Sequence, residues 1–92
     1  MKVLYINWGL PLEDKTYKEI GMVMVEVLPF LHKVEYADSE GAIIHINDEG
    51  EEVVKELRDR LYYIDIWFEG EDQEEVREER IKRWAKKKGM AK

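Results

Sequence analysis

The stretch 62-YYIDIWFE-69 carries the strongest structural signal in the chain. Isoleucine and phenylalanine occupy the even positions from 64 to 68, whereas tyrosine, aspartate and tryptophan occupy the odd positions from 63 to 67. This period of two is typical of a strand with one buried face and one open face. Gly70 stops the pattern, so a strand over residues 62–69 is predicted.

Three further segments have strand character. Residues 1–8 are rich in β-branched and aromatic side chains and end at the breaker cluster Gly9-Leu10-Pro11. Residues 33–37 and 42–47 are two short strand candidates, separated by the turn-forming group Asp38-Ser39-Glu40-Gly41. A turn of this length predicts that the two segments pair as an antiparallel hairpin.

Two helices are predicted between these strands. Thr16 and Glu19 have the spacing of a capping box, and apolar side chains then recur at three- and four-residue steps from Tyr17 to Leu31. Pro29 is expected to end or kink this helix. Asp48 is expected to cap the second helix. The predicted buried face of the second helix consists of Val53, Val54, Leu57 and Leu61.

The order of elements is therefore β-α-β-β-α-β, followed by a charged third helix over roughly residues 72–88. With right-handed crossovers, this order resembles the ferredoxin-like (split βαβ) arrangement, a four-stranded antiparallel sheet with two helices on one face. The predicted class is α+β. A chain of 92 residues has room for one domain, with the sheet and two helices in residues 1–70 and the C-terminal helix in residues 71–92.

Composition excludes several kinds of site. The chain has no cysteine, which removes disulfides, thiolate metal ligands and a cysteine nucleophile. The N-terminus lacks the apolar run of a signal peptide, and no segment approaches the roughly 20 apolar residues that span a bilayer, so a cytoplasmic protein without membrane contact is expected. One glutamine and two asparagines beside abundant Glu and Lys favour a thermophilic source.

Charge is unevenly distributed along the chain. The net charge is −6, but residues 1–79 carry 8 basic and 21 acidic side chains, a net charge of −13. Residues 80–92 carry seven basic side chains and no acidic one. The sequence therefore predicts an acidic body with a basic tail. The candidate anion contacts in this tail are Arg80, Lys82, Arg83, Lys86, Lys87 and Lys88.

The face of the sheet that the two helices leave uncovered is the candidate functional surface. Strand alternation assigns an unusual number of aromatic and apolar side chains to it, and such patches on a surface usually mark an interface. Its candidate interface or ligand residues are Tyr5, Ile43, His45, Tyr63, Asp65 and Trp67. Self-association through this face is the preferred interpretation, with another protein partner as an open alternative.

A nucleic-acid-associated role is the first alternative. Aromatic side chains on an open four-stranded sheet stack nucleobases in RNA-recognition modules, and the basic tail could contact phosphates. The third strand lacks the Lys/Arg-Gly-aromatic consensus of those modules, and the acidic body opposes phosphate attraction. Nucleic-acid binding is therefore not favoured. The tail helix is instead expected to dock, with Trp84 as its anchor.

A small enzyme is the second alternative. His45 and Asp65 are the acid–base pair that alternation can place on one surface, whereas His32 is expected near the end of the first helix. No glycine-rich phosphate motif, nucleophile elbow or paired-histidine spacing occurs in the sequence. We therefore predict a non-enzymatic interaction module that forms homo-oligomers and needs neither metal nor cofactor.

Overall fold

Alternating apolar side chains build one antiparallel sheet at the centre of the protein. The structure, a computed structural model, describes residues 1–87, without the side chains of Trp84 and Lys87. Its strands are β1 (Lys2–Asn7), β2 (Leu31–Ala37), β3 (Gly41–Ile46) and β4 (Asp65–Phe68). Its α-helices are α1 (Asp14–Val27), α2 (Glu51–Arg58) and α3 (Gln73–Lys87). Short 3₁₀ turns at Leu28–Phe30 and Asp48–Gly50 follow α1 and precede α2.

The strand order across the sheet is β2-β3-β1-β4, and every neighbouring pair is antiparallel. Leu4 in the central strand β1 lies opposite Ile44 on one side and Phe68 on the other. The α+β class and the four-stranded antiparallel sheet are confirmed within residues 1–87. The hairpin is also confirmed, since β2 and β3 pair directly across residues 38–40.

The core lies between the sheet and the inner faces of α1 and α2. The predicted helix-facing side chains of the strands are all buried there, and so are Val54, Leu57 and Leu61 in and after α2. Val23 and Val27 are the buried apolar positions of α1. The predicted apolar face of α1 is partly right, because Val27 is buried and Ile20 packs against the core, whereas Tyr17 and Met24 are each 57% exposed.

The capping box predicted for α1 is wrong. The helix begins at Asp14, so Thr16 is inside its first turn, and the N-cap residue Glu13 makes no side-chain capping bond. Glu19 is buried and points toward the chain before β4, where its carboxylate accepts hydrogen bonds from the N–H groups of Tyr62, Tyr63 and Ile64 at 2.7 to 3.3 Å. The end of α1 before Pro29 was predicted correctly.

This role of Glu19 also shortens the fourth strand. Residues 62–64 were predicted as strand, but β4 begins at Asp65. The N–H groups of residues 62–64 bind a carboxylate instead of a neighbouring strand, so the alternating pattern continues beyond the sheet. Ile64 is nevertheless buried in the core, as the alternation predicted.

Two other predictions about helix ends, those for Asp48 and His32, are wrong. Asp48 does not cap α2; it pairs with the N-terminal amino group of Met1 at 2.9 Å, and α2 begins after the 3₁₀ turn. Asp72 does cap α3, because its Oδ1 accepts hydrogen bonds from the N–H groups of Glu74 and Glu75. His32 lies in β2, not at a helix end as predicted.

Candidate interaction surfaces

The open sheet face is the side of the sheet opposite α1 and α2, and Tyr5 lies near its centre. Strand pairing places Ile43 of β3 and Trp67 of β4 on either side of Tyr5. The rings of Tyr5 and Trp67 stack with their centroids 5.5 Å apart and their planes 11° apart. These three side chains line a shallow depression of about 200 Å³. The predicted interface residues Tyr5, Ile43 and Trp67 therefore form one cluster, which we call the aromatic cluster.

Tyr63 does not join the aromatic cluster. It precedes β4, and its ring lies 5.7 Å from Nζ of Lys15, which belongs to the first turn of α1 on the other side of the sheet. The side chain is 48% exposed. Alternation placed Tyr63 on the open face because it assumed that the strand extends back to residue 62.

His45 and Asp65 are not close enough to act as an acid–base pair. His45 lies opposite Val3, whereas Asp65 lies opposite Asn7, so four residues of β1 separate them along the sheet. At about 3.3 Å per residue this is roughly 13 Å along the strand alone. His45 instead places Nε2 2.6 Å from a carboxylate oxygen of Glu35 on β2. The structure thus corrects the prediction that these two side chains could share a site.

Asp65 holds α3 against the sheet. Its carboxylate accepts hydrogen bonds from Gln73, Arg77 and Arg80, three side chains on one side of α3. Burial acts to raise the pKa of Asp65, but hydrogen bonds from Arg77 and Gln73 and the charges of both arginines outweigh it and leave the pKa below its ordinary value. A carboxylate that stays ionised in this way suits an anchor better than proton transfer near neutral pH.

Two basic residues of the tail, Arg80 and Arg83, bind the body of the protein. Arg80 is 4% exposed, and its Nη1 donates a hydrogen bond to the carbonyl oxygen of Ile64 at 3.0 Å. Arg83, a predicted anion contact, donates hydrogen bonds to the carboxylate of Asp59, just after α2. Lys82 and Lys86 are exposed. The predicted anion contacts Lys87, in its side chain, and Lys88, and the predicted anchor Trp84, lie outside the described part of the structure.

A second apolar surface was not predicted from the sequence. The groove between α1 and β2, called here the α1–β2 groove, has a volume of about 250 Å³ and is lined by apolar residues alone. It lies on the helix side of the sheet, because Leu31 and Val34 of β2 pair with Ile46 and Ile44, which face the core. Val34 is 55% exposed and Leu28, beside it in the groove lining, is 56% exposed.

No group of three or more His, Asp or Glu side chains in residues 1–87 is arranged to hold a metal ion. None of the helices in the same range combines the length and the apolar content that crossing a membrane requires.

Comparison with known proteins identifies one viral relative. The chain is similar to uncharacterized protein 17 of the Sulfolobus islandicus filamentous virus (isolate Iceland/Hveragerdi), with 45% identity over 67 residues that cover 73% of this chain and 88% of that protein. No family model and no solved structure matches the chain. A relative from a Sulfolobus virus fits the thermophilic source that the scarcity of asparagine and glutamine favours.

Proposed function

The chain belongs to the same family as this viral protein, and we propose that it is a non-enzymatic interaction module that self-associates through its open sheet face. We also propose the ferredoxin-like arrangement for its fold. The strand order β2-β3-β1-β4 supports it, because α1 connects β1 to β2 across β3, and α2 connects β3 to β4 across β1.

The stacked pair Tyr5 and Trp67 is the observation that carries the proposal. The two rings and Ile43 form an apolar centre on a face that α1 and α2 do not cover. Aromatic side chains at the centre of a surface patch are the usual anchors of a protein interface. Face-to-face packing of two copies would remove both aromatic clusters from water, with the pairing of like surfaces that is typical of twofold dimers.

The charges around the aromatic cluster favour a second copy over a polyanion. The open face has acidic Glu35 beside His45 at one margin, and Asp65 bound to arginines of α3 at the other. Margins that hold both signs of charge can complement each other in a symmetric contact. A nucleic acid would have to approach a body with a net charge of −13 in residues 1–79.

Light scattering of the purified chain tests this proposal. We expect the parent protein to form dimers or larger species, and the double variant Tyr5→Glu, Trp67→Glu to lose this contact because two carboxylates would have to be buried in it. Tyr62→Glu is the matched control, since Tyr62 is also aromatic and 53% exposed but lies outside the aromatic cluster. A parent that is monomeric at high concentration, or a control that dissociates as the double variant does, would contradict the proposal.

A further inference from the structure

We propose that β2 is a second self-association surface, at which the β2 strands of two copies pair antiparallel and join their α1–β2 grooves. This surface is centred on the edge of β2 and meets the open sheet face only at its margin, at Glu35, so the inference goes beyond the proposed function. It rests on the position of β2, on the order of its charges and on the apolar groove beside it.

β2 lies at a margin of the sheet, and its outer edge is exposed. The strand order places β2 and β4 at the two margins of the sheet. β4 has four residues, and α3 contacts it at Asp65, whereas β2 has seven residues, of which His32 to Ala37 are all exposed. Exposed edges present unpaired N–H and C=O groups to other strands, and β2 contains no proline. The register of β2 against β3 shifts between Leu31 and Lys33 and between Val34 and Tyr36, so its side chains alternate regularly only from Lys33 to Glu35, and this short segment is the part proposed to pair.

The charged side chains of β2 can complement each other between two copies. β2 reads LHKVEYA, and an antiparallel pairing centred on Val34 places Lys33 of each copy opposite Glu35 of the other. Both side chains lie on the open side of the sheet, since Lys33 pairs with His45 and Glu35 forms a hydrogen bond with it. Opposite charges across two antiparallel strands are stabilising, and the twofold axis makes this pair occur twice.

The contact between two β2 strands would also bury apolar surface on the helix side of the sheet. The same register places Val34, which lines the α1–β2 groove, opposite Val34 of the second copy. Leu31 and Ala37 line the groove too, but they lie beyond the two register shifts of β2. Met24 of α1 and Leu28 of the 3₁₀ turn that follows it continue this lining and are each more than half exposed. A groove without polar lining suits an apolar partner, and the second copy brings an identical apolar groove to the contact.

The two surfaces have different centres, the aromatic cluster and the edge of β2, and share only the margin at Glu35. Each contact alone is symmetric and closes as a dimer. A chain that uses both contacts must form species larger than a dimer. The double variant Tyr5→Glu, Trp67→Glu, which removes the open-face contact, therefore isolates the β2 contact as a dimer.

A charge exchange in this double-variant background tests the β2 contact. Lys33→Glu replaces two attractive pairs by two repulsive ones and should raise the dissociation constant on the order of tenfold, because each cross-strand charge pair contributes roughly 0.2–1 kcal/mol. Adding Glu35→Lys restores opposite charges and should recover most of the affinity. A monomeric background protein, or a Lys33→Glu variant that dimerises as the background does, would overturn the inference.

An apolar pair of variants gives an independent test. Val34→Asp should abolish the β2 dimer, whereas Val25→Asp should not, because Val25 is 75% exposed on α1 but does not line the groove. Circular dichroism establishes that each variant is folded. Equal effects of the two changes would overturn the inference. If Tyr5→Glu, Trp67→Glu leaves the parent mass unchanged while the β2 variants lower it, the proposed function fails and the β2 contact stands.

Discussion

Replacing Glu19 by alanine should cost about 3 kcal/mol of unfolding free energy. The Glu19 side chain accepts four hydrogen bonds from three backbone N–H groups before β4. A hydrogen bond to a charged group contributes about 1.5–3 kcal/mol. Ile64 is 1% exposed, so its N–H would lose its partner without gaining water, whereas the N–H groups of exposed Tyr62 and Tyr63 would regain water. The full cost of losing the Ile64 hydrogen bond and the partial costs at Tyr62 and Tyr63 together give about 3 kcal/mol.

Guanidinium unfolding followed by circular dichroism measures this cost. A loss of 3 kcal/mol should lower the melting temperature by about 12–24 °C in a domain of this size. Glu19→Gln keeps one acceptor oxygen and should fall between alanine and the parent. Glu26→Gln is the matched control on the same helix, because Glu26 is 37% exposed and its ion pair with Arg60 is worth about 0–1 kcal/mol. If Glu19→Ala is no more destabilising than Glu26→Gln, the assigned role of Glu19 is refuted.

Three further predictions concern close packing, pH and nucleic acid. Gly41→Ala should destabilise by about 2 kcal/mol or more in the same unfolding assay, because a Cβ there would overlap the carbonyl oxygen of Ile6. Glu71 precedes α3; burial acts to raise its pKa, but its carboxylate accepts hydrogen bonds from Arg58 and from the N–H of Phe68, which outweigh burial and lower the pKa, as the partners of Asp65 lower that of Asp65. The stabilisation from both carboxylates is therefore complete above the ordinary carboxyl pKa near 4 and should be lost as the pH falls through their folded pKa values. Melting curves from pH 7 to pH 2 measure this loss, which Asp65→Asn should reduce. In titrations with duplex and single-stranded oligonucleotides at two salt concentrations, the full chain should bind weakly and little better than a chain cut after Glu79; tight, salt-sensitive binding that truncation abolishes would favour the nucleic-acid alternative.

The sheet could be predicted because its signal is local. Alternation along each strand identifies which side chains face the core, and Leu4, Ile46 and Ile66 are all buried as that pattern predicts. The hairpin turn and the stop at Pro29 also depend on a few adjacent residues. Local chemistry therefore gives the elements and the faces of this fold.

The departures from prediction come from contacts between distant segments. Glu19 has the right spacing to complete a capping box with Thr16, but it binds the chain 43 to 45 residues later, and no local pattern reveals that choice. Asp65 alternates as an open-face residue, yet α3 supplies its partners. Periodicity does not indicate which acidic side chain will accept a hydrogen bond from a segment that is distant in the sequence.

The α1–β2 groove was not predicted from the sequence, and the reason is geometric. The pattern from Tyr17 to Leu31 indicates a helix and gives it an apolar face, but it does not say how much of the sheet that helix covers. Met24 and Leu28 were expected in the core, whereas they lie at the margin of the covered area beside β2. The apolar pattern was informative, because it marked a surface that one helix leaves incompletely covered.

Contacts within the structure explain part of the uneven charge distribution along the sequence. The tail is rich in basic residues, but Arg80 and Arg83 reach carboxylates of the body at Asp65 and Asp59. These contacts join α3 to β4 and to the end of α2. Because both arginines are bound to carboxylates, they are less available to bind phosphates. The remaining exposed lysines of α3, such as Lys82, stand beside a strongly acidic body that repels polyanions. The docking of α3 therefore accounts for two cations of the basic tail, Arg80 and Arg83, and the proposals for function rest on the open sheet face and on β2.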